Sequence, residues 1–336
     1  MSEARSLAAL AALAPRRAWR PILAALVAAL VSPLVAGQDY PSKPVRIIVP
    51  FAAGGPADVY ARFIAQRLQE SMGQTFIVDD RPGAGSIIGT DAVAKSPPDG
   101  YTLLLMSNTH TVNESLIPSK PFQLMRDFVP IAPVNSSDLV LVARSGLPAS
   151  TLAELIAAAK AKPGALSYAS SGPGTPYHMA GELFKAMAGL AVVHVPYRGS
   201  SGARTDVIGG QVDMMFDAVT TMTEHVKAGK VKAIATTGRQ RSSVLPDVPT
   251  VHEAGVPNYE ATIWLGLMAP KGTPAAIVQR LNETVSKVAS QAEVRQQWGK
   301  QGATPMVMTP VAFDKYIQDD IAKWSRVIKS ANIKAE

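Results

Sequence analysis

The chain has no cysteine, which excludes disulfide bonds and thiol chemistry. Its histidines, His110, His178, His194, His225 and His252, are scattered, and no two have the i, i+4 or short-loop spacing of a metal site. No glycine stands two residues before Ser170 or Ser171, so the Gly-x-Ser-x-Gly elbow of a nucleophilic serine is missing. Lys271-Gly272-Thr273 runs in the wrong order for a phosphate loop, and Gly83-Ala84-Gly85 with the next glycine at Gly89 misses the dinucleotide spacing Gly-x-Gly-x-x-Gly by one. Beyond residue 37 there is no run of Lys and Arg interleaved with aromatics, and hence no footprint for nucleic acid. Catalytic residues, a metal, a cofactor and a nucleic-acid partner are therefore not expected.

The one long apolar run lies at the start. Arg16, Arg17 and Arg20 precede Pro21 to Val35, which is rich in Ala, Leu and Val, and Val35-Ala36-Gly37 offers small residues before Gln38. The run falls short of the ~20 residues a membrane-spanning helix needs, so 1–37 reads as a cleavable export signal rather than a retained anchor. Arg16-Arg17 lacks the rest of a twin-arginine signal, which favours the general secretory route to the periplasm. Arg5, Arg16, Arg17, Arg20 and Glu3 leave with it, so the formal charge of +7 drops to +4. Such a mild positive bias helps attract an anion. The roughly 300 remaining residues, without disulfides, need a large core, and that length favours two domains.

Val45-Arg46-Ile47-Ile48-Val49 has the β-branched enrichment of a buried strand, and Val59/Phe63 and Ile64/Leu68 then recur at helical spacing. Between them, Pro50-Phe51-Ala52-Ala53-Gly54-Gly55-Pro56-Ala57-Asp58 makes a glycine turn. Pro56 suits the first helical position, which makes Gly55 the N-cap and leaves the next N–H groups without partners. Those donors and the positive end of the helix dipole favour an anion, and two glycines let it approach the backbone. Asp58 is expected to fold back onto the Gly55 N–H as a capping acid.

The pattern returns about 120 residues later in Tyr168-Ala169-Ser170-Ser171-Gly172-Pro173-Gly174-Thr175-Pro176-Tyr177-His178, with Thr175 as N-cap and Pro176 at the first helical position. Two such turns suggest one ligand held between two lobes.

Further strands are expected at Thr75–Val78, Tyr101–Met106, Val192–Val195, Val212–Phe216, Val231–Thr236 and Thr262–Met268. Asn108 follows a strand's C-terminal end, where open α/β sheets hold ligands. Phe128–Val134 and Leu139–Ala143 read as two strands broken by Asn135-Ser136-Ser137-Asp138, where the chain crosses between lobes, and the strands from Val231 onward make the return. Ser86 is a candidate helix cap, and Thr151-Leu152-Ala153-Glu154 and Thr221-Met222-Thr223-Glu224 read as capping boxes. Arg198, at a strand end, is placed either to meet a carboxylate or as a surface residue. The C-terminal stripe of Phe313, Tyr316, Ile317, Ile321, Trp324 and Ile328 is a packing surface. The expected organisation is a lobe I of 38–140 plus 240–336 and a lobe II of 141–239.

Seven stretches stand out together: Tyr40-Pro41-Ser42-Lys43-Pro44, Val49-Pro50-Phe51 with Gly54-Gly55 and Asp58, Arg81-Pro82-Gly83-Ala84-Gly85, Pro98-Asp99-Gly100-Tyr101-Thr102-Leu103-Leu104, Tyr168-Ala169-Ser170-Ser171-Gly172 with Gly174-Thr175 and His178, Val195-Pro196-Tyr197-Arg198-Gly199, and Gly209-Gly210-Gln211-Val212-Asp213. Through them the chain resembles the solute receptors of tripartite tricarboxylate transporters, also called Bug-type receptors, over nearly all of its length after residue 37. The resemblance implies an α/β fold of the type II-like periplasmic-binding-protein kind, with two Rossmann-like lobes joined by crossing strands and a ligand cleft between them. It also implies that Phe51, Ala53, Gly54, Gly55, Ser170, Ser171, Gly172, Gly174 and Thr175 grip a ligand carboxylate, with Asp217 near the ligand's distal end. Ala53 stands where such receptors usually carry proline. Read from position alone, Asp217 either faces the cleft or caps the turn before Thr221.

The function expected is that of a monomeric periplasmic receptor that captures a small organic carboxylate and delivers it to a membrane transporter. A sensory module presenting its ligand to a signalling partner and a secreted enzyme on a similar fold are the alternatives.

Overall fold

The computed structural model describes residues 40–335; the expected export signal, 1–37, lies outside the described residues. Among the described residues no helix is long and apolar enough to cross a membrane. The chain from Lys43 onward forms one unit, in which the strands and helices of the described residues lie.

Three parallel strands open the fold: β1 (Val45–Val49), flanked by β2 (Phe76–Asp80) and β3 (Thr102–Ser107). The intervening helices are α1 (Pro56–Met72) and α2 (Ile87–Ala94), and α3 (Asn108–Leu116) and the short α4 (Leu124–Asp127) follow. The chain then enters β4 (Phe128–Arg144), 17 residues long. The expected break at Asn135–Asp138 does not occur, because those residues are paired: Asn135 to Asp138 lie opposite Leu265 to Thr262, and Asn135 to Ser137 are flanked on the other side by Pro305 to Ala303 of the short β10 (Ala303–Pro305). Polar side chains sit in a strand here because the ladder, not side-chain burial, holds it.

From Leu139 on, β4 changes partners. It pairs with β7 (Met214–Ala218) and with β8 (Val231–Thr236), and β7 continues through β5 (Ser167–Ser170) to β6 (Val193–Pro196) as parallel neighbours. The helices of this half are α5 (Leu152–Ala161), α6 (Pro176–Ala188), α7 (Ser200–Ile208) and α8 (Val219–Lys227). The chain returns in β9 (Thr262–Pro270), which inserts between β3 and β4, and ends in α9 (Ala275–Ser290), α10 (Ala292–Gly299) and α11 (Pro310–Ser330).

Burial follows the pleat. In β4, Leu139, Leu141 and Ala143 join one cluster with Phe184, Phe216 and Tyr259, whereas Val140 and Val142 join another with Val207, Met215 and Met222. A period of two with both faces apolar marks a sheet covered on both sides. The other half has its own core around Ile48, Leu104, Phe128, Trp264 and Phe313. The fold is thus α/β with two lobes. Val251, Val256 and Tyr259, beyond residue 240, pack with the β5–β8 half.

Four helix starts follow the capping signals. Gly55, Thr175, Thr151 and Thr309 cap their helices, and Thr151 with Glu154 forms a capping box. Three details differ. Asp58 folds back onto the N–H of Gly54, not Gly55. Ser86 sits at the cap of α2 with φ of 77° and no side-chain bond. The box at Thr221 is absent, since α8 begins earlier, at Val219, and the Thr221 hydroxyl turns back to the Ala218 carbonyl.

Candidate functional site

The cleft is built where helix N-termini converge. Gly55, Pro56 and Ala57 open α1, Pro176 and Tyr177 open α6, Gly199 and Ser200 open α7, and Ser107 caps α3; all line one cavity. Each follows a strand of a parallel set, so the strand ends deliver them to one side. First-turn N–H groups have no acceptor within their helix, and four dipoles add their positive ends. Apart from Ser171, the rest of the wall is apolar, with Phe51, Ala52, Ile263 and Leu265. An adjoining cavity shares Phe51 and Ser171 and is bounded by Gly83 to Ser86, Gly172, Thr175 and Arg198.

The two glycine turns are shaped by internal hydrogen bonds. In the first, Gly54 has φ of 77° and donates its N–H to Asp58 Oδ2 at 2.8 Å; Asp58 also pairs with Arg62. In the second, Gly172 and Gly174 have φ of 114° and 74°. Gly172 donates to Ser170 Oγ at 3.1 Å, Gly174 to His178 Nδ1 at 3.1 Å, and Thr175 Oγ1 donates to the Gly172 carbonyl at 2.7 Å. A backbone amide can only donate, so His178 Nδ1 carries a lone pair and the neutral ring holds its proton on Nε2. Burial, then the neighbouring His194, push the His178 imidazole down to about 4. The His194 ring lies 4.4 Å from His178 and 4.8 Å from Tyr168, and its Nε2 is 2.6 Å from Ser170 Oγ. The N–H groups of Gly54, Gly172 and Gly174 are thereby engaged within the protein. In α1 and α6, the donors without an intrahelical partner that remain are those of Ala57, Asp58 and Tyr177.

Each turn meets a helix across the cleft, the first α7 and the second α3. Ser201 Oγ donates to the Ala53 carbonyl at 2.8 Å, and an added Cβ on Gly174 would overlap Asn113 Oδ1. Behind them Met179 of α6 is buried with Val112 and Leu116 of α3 and with Trp324 and Ile328 of α11.

Of the residues expected at the site, Phe51, Gly55 and Ser171 line the first cavity, and Phe51, Ser171, Gly172, Thr175 and Arg198 the second. Ala53 and Gly54 form an exposed rim. Ser170 and Gly174 line neither cavity and fix the shape of the second turn from within. Asn108 is buried, and its Nδ2 donates to the Thr262 carbonyl across to β9. Asp217 is brought to neither cavity. It lies inside β7 rather than past its end, fully buried, with Arg204 Nε at 2.8 Å and the Ala218 N–H at 2.9 Å. Burial raises its pKa against the opposing pull of Arg204. Sequence reasoning missed Ser107, Tyr177, Ser200, Ile263 and Leu265. Only Ser200, just after Gly199 at a strand-to-helix turn, offered a local signal.

The sequence of residues 60–333 matches the family described as the tripartite tricarboxylate transporter family receptor. The chain belongs to that family. It is 40% identical over 302 residues to the protein BugT of Bordetella pertussis, across 89% of this chain and 93% of that one. An R. palustris protein in a structure with adipate superposes with a TM-score of 0.85 at 34% identity, over 88% of this chain and 99% of that one. MatC from Rhodopseudomonas palustris with bound malate gives 0.82 at 32% identity, over 86% and 100%. Tripartite tricarboxylate transporter receptors are periplasmic solute-binding proteins, so the converging helix ends and paired glycine turns are those of a solute receptor.

Proposed function

We propose that this chain captures a small organic carboxylate in the cleft and delivers it to the membrane subunits of a tripartite tricarboxylate-type transporter, acting in the periplasm as a monomer, without turnover and without a cofactor. The observation that carries this reading is the convergence of four helix N-termini on one cavity, an arrangement that stabilises an anion without any cationic side chain. The ligands of the two R. palustris relatives, adipate and malate, are carboxylates and support it. Phe51, Gly55, Ser171, Gly172, Thr175 and Arg198 are the residues we assign to contact, with Ala53, Gly54, Asn108, Ser170 and Gly174 shaping the turns around them; Asp217 acts as a structural ion pair. We also place the lobe boundaries at 138/139 and near 261, because β4 changes partners after Asp138 and Tyr259 and Ala261 pack with the β5–β8 half. Export through 1–37, with a mature start near Gln38, completes the proposal.

The test is a melting-shift screen over a carboxylate library, with NMR of the ligand after incubation. A hundredfold excess over Kd stabilises by about 2.7 kcal/mol, and the ligand is expected back unchanged. No shift with any carboxylate, or consumption of the ligand, would overturn the reading.

A further inference from the structure

The space in the cleft is unequally divided, and its larger part suits a second oxyanion, provided the cleft is the carboxylate site proposed for it. The helix-end cavity holds about 30 Å³, room for roughly two waters and so for the two oxygens of one carboxylate. The adjoining cavity holds about 210 Å³. Both are bordered by Phe51 and Ser171, so the body of a ligand anchored at the helix ends extends past these residues into the larger space.

The wall of that larger space carries donors without acceptors. Ser86 lines it and is only 3% exposed, yet its Oγ has no hydrogen-bond partner. A capping serine normally uses its oxygen on the first turn, but Ser86 stands at the cap of α2 with φ of 77° and makes no such bond. A buried hydroxyl without a partner is costly, and a ligand oxygen beside it offsets that cost. The start of α2 adds to this. Its Ile87 N–H turns back to the Ala84 carbonyl, whereas the N–H groups of Ile88 and Gly89 have no acceptor within the helix, and the positive end of the dipole is at the same place. Arg198 borders the cavity from the β5–β8 half, exposed to solvent and in no ion pair among the described residues. No carboxylate lines this cavity. Asp206, which reaches the lining residue Tyr197, accepts from its hydroxyl. We propose that the adjoining cavity is a second oxyanion subsite, in which the Ser86 hydroxyl, the start of α2 and Arg198 receive the far carboxylate of a ligand whose first carboxylate sits at the converging helix ends. The methylenes between the two lie along Pro50, Phe51, Pro173 and Pro196. A hydrocarbon end in the same position leaves Ser86 unpaired, so a diacid is preferred to the monoacid of equal length.

Matched pairs read the far carboxylate alone: succinate against butyrate, glutarate against pentanoate and adipate against hexanoate, by calorimetry on the mature protein at neutral pH. At the best-fitting length the diacid is expected to bind about tenfold more tightly or better, the worth of a hydrogen bond to a charged group. Equal or tighter binding of the monoacid at every length would overturn the subsite while leaving the carboxylate-receptor reading intact; binding of none of the six acids would overturn both. Two variants assign the preference to its residues, each measured at a temperature where its melting curve shows it folded. Ser86→Ala removes the hydroxyl alone, since Ala84 in the same loop already has a positive φ, and is expected to shrink the diacid preference about fivefold. Arg198→Gln is expected to shrink it about twofold, and to do so less at high salt, because an exposed charge is screened. A preference undiminished in either variant would overturn the subsite as drawn.

Discussion

The two glycine turns have the same backbone plan and opposite surroundings. Each ends a strand, passes through a glycine of positive φ and enters a helix at proline. The first is tied by a carboxylate from its own helix, Asp58, whose partner Arg62 is 56% exposed. The second is tied by buried hydroxyls, by the buried His178 imidazole and by the half-buried His194, which comes from the next strand. The first therefore depends on local chemistry that water and salt can screen, whereas the second depends on tertiary packing.

Four perturbations would break or sharpen this contrast. The largest effect is expected behind the second turn, where Asp217→Asn leaves the Arg204 guanidinium, 12% exposed, without its counter-charge. A loss of about 3–5 kcal/mol in urea unfolding follows from stranding a buried ion; a loss under ~1 kcal/mol would mean that water reaches the pair and that it behaves as a surface one.

Acid is next. Burial pushes His178 and His110 down to about 4, while in the unfolded chain both titrate near 6.5. The unfolded state then binds protons that the fold refuses, so their contribution is complete above pH 6.5 and lost as the pH falls from 6.5 to 4. That amounts to roughly 3 kcal/mol per histidine. His110 stands edge-on to Phe51 of the first turn. His178→Asn keeps an acceptor where Nδ1 stood but does not titrate, so the melting difference between wild type and variant across this range isolates the second turn's share. Parallel curves would show that His178 contributes nothing to the acid response.

Third, Gly174→Ala and Gly54→Ala both force a side chain into left-handed backbone, a strain of about 1–2 kcal/mol. The added Cβ would overlap Asn113 at Gly174 but only approach Ser201 Oγ at 3.3 Å at Gly54, so the second turn should lose more in melting temperature. Because both glycines have positive φ, stability and affinity will fall together, and binding has to be compared at temperatures where each variant is folded.

Smallest is Asp58→Asn, which keeps an acceptor for Gly54 and loses only a half-exposed ion pair, about 0.5–1 kcal/mol. A loss matching that of Asp217→Asn would erase the distinction between the turns.

What the sequence disclosed follows the same divide. Pro56, Thr175, Pro176 and the glycines announce both turns because their conformational demands are local, and the strand and helix order follows from periodicity. Asp217 misled because a carboxylate near a strand end looks alike whether it faces a cleft or a buried arginine, and Arg204 lies 13 residues earlier on a different element. The break expected at Asn135–Asp138 came from reading polarity as a loop, when pairing to β9 and β10 decides. Tyr177, Ile263 and Leu265 carry no local mark of a site; only the return of β9 beside β3 brings the last two to the helix ends.

That return has a consequence for the order of assembly. The β5–β8 half uses residues 139 to about 261 and can close on itself as soon as they exist. The strand β3, by contrast, has no route to β4 except through β9, some 160 residues further along the chain. The first strands made are therefore among the last to be completed, and until β9 arrives β3 offers an unpaired apolar edge, Leu103 to Met106, to any other chain nearby. A newly made copy is most vulnerable to aggregation in that interval, and a holding chaperone would find its target in the N-terminal strands.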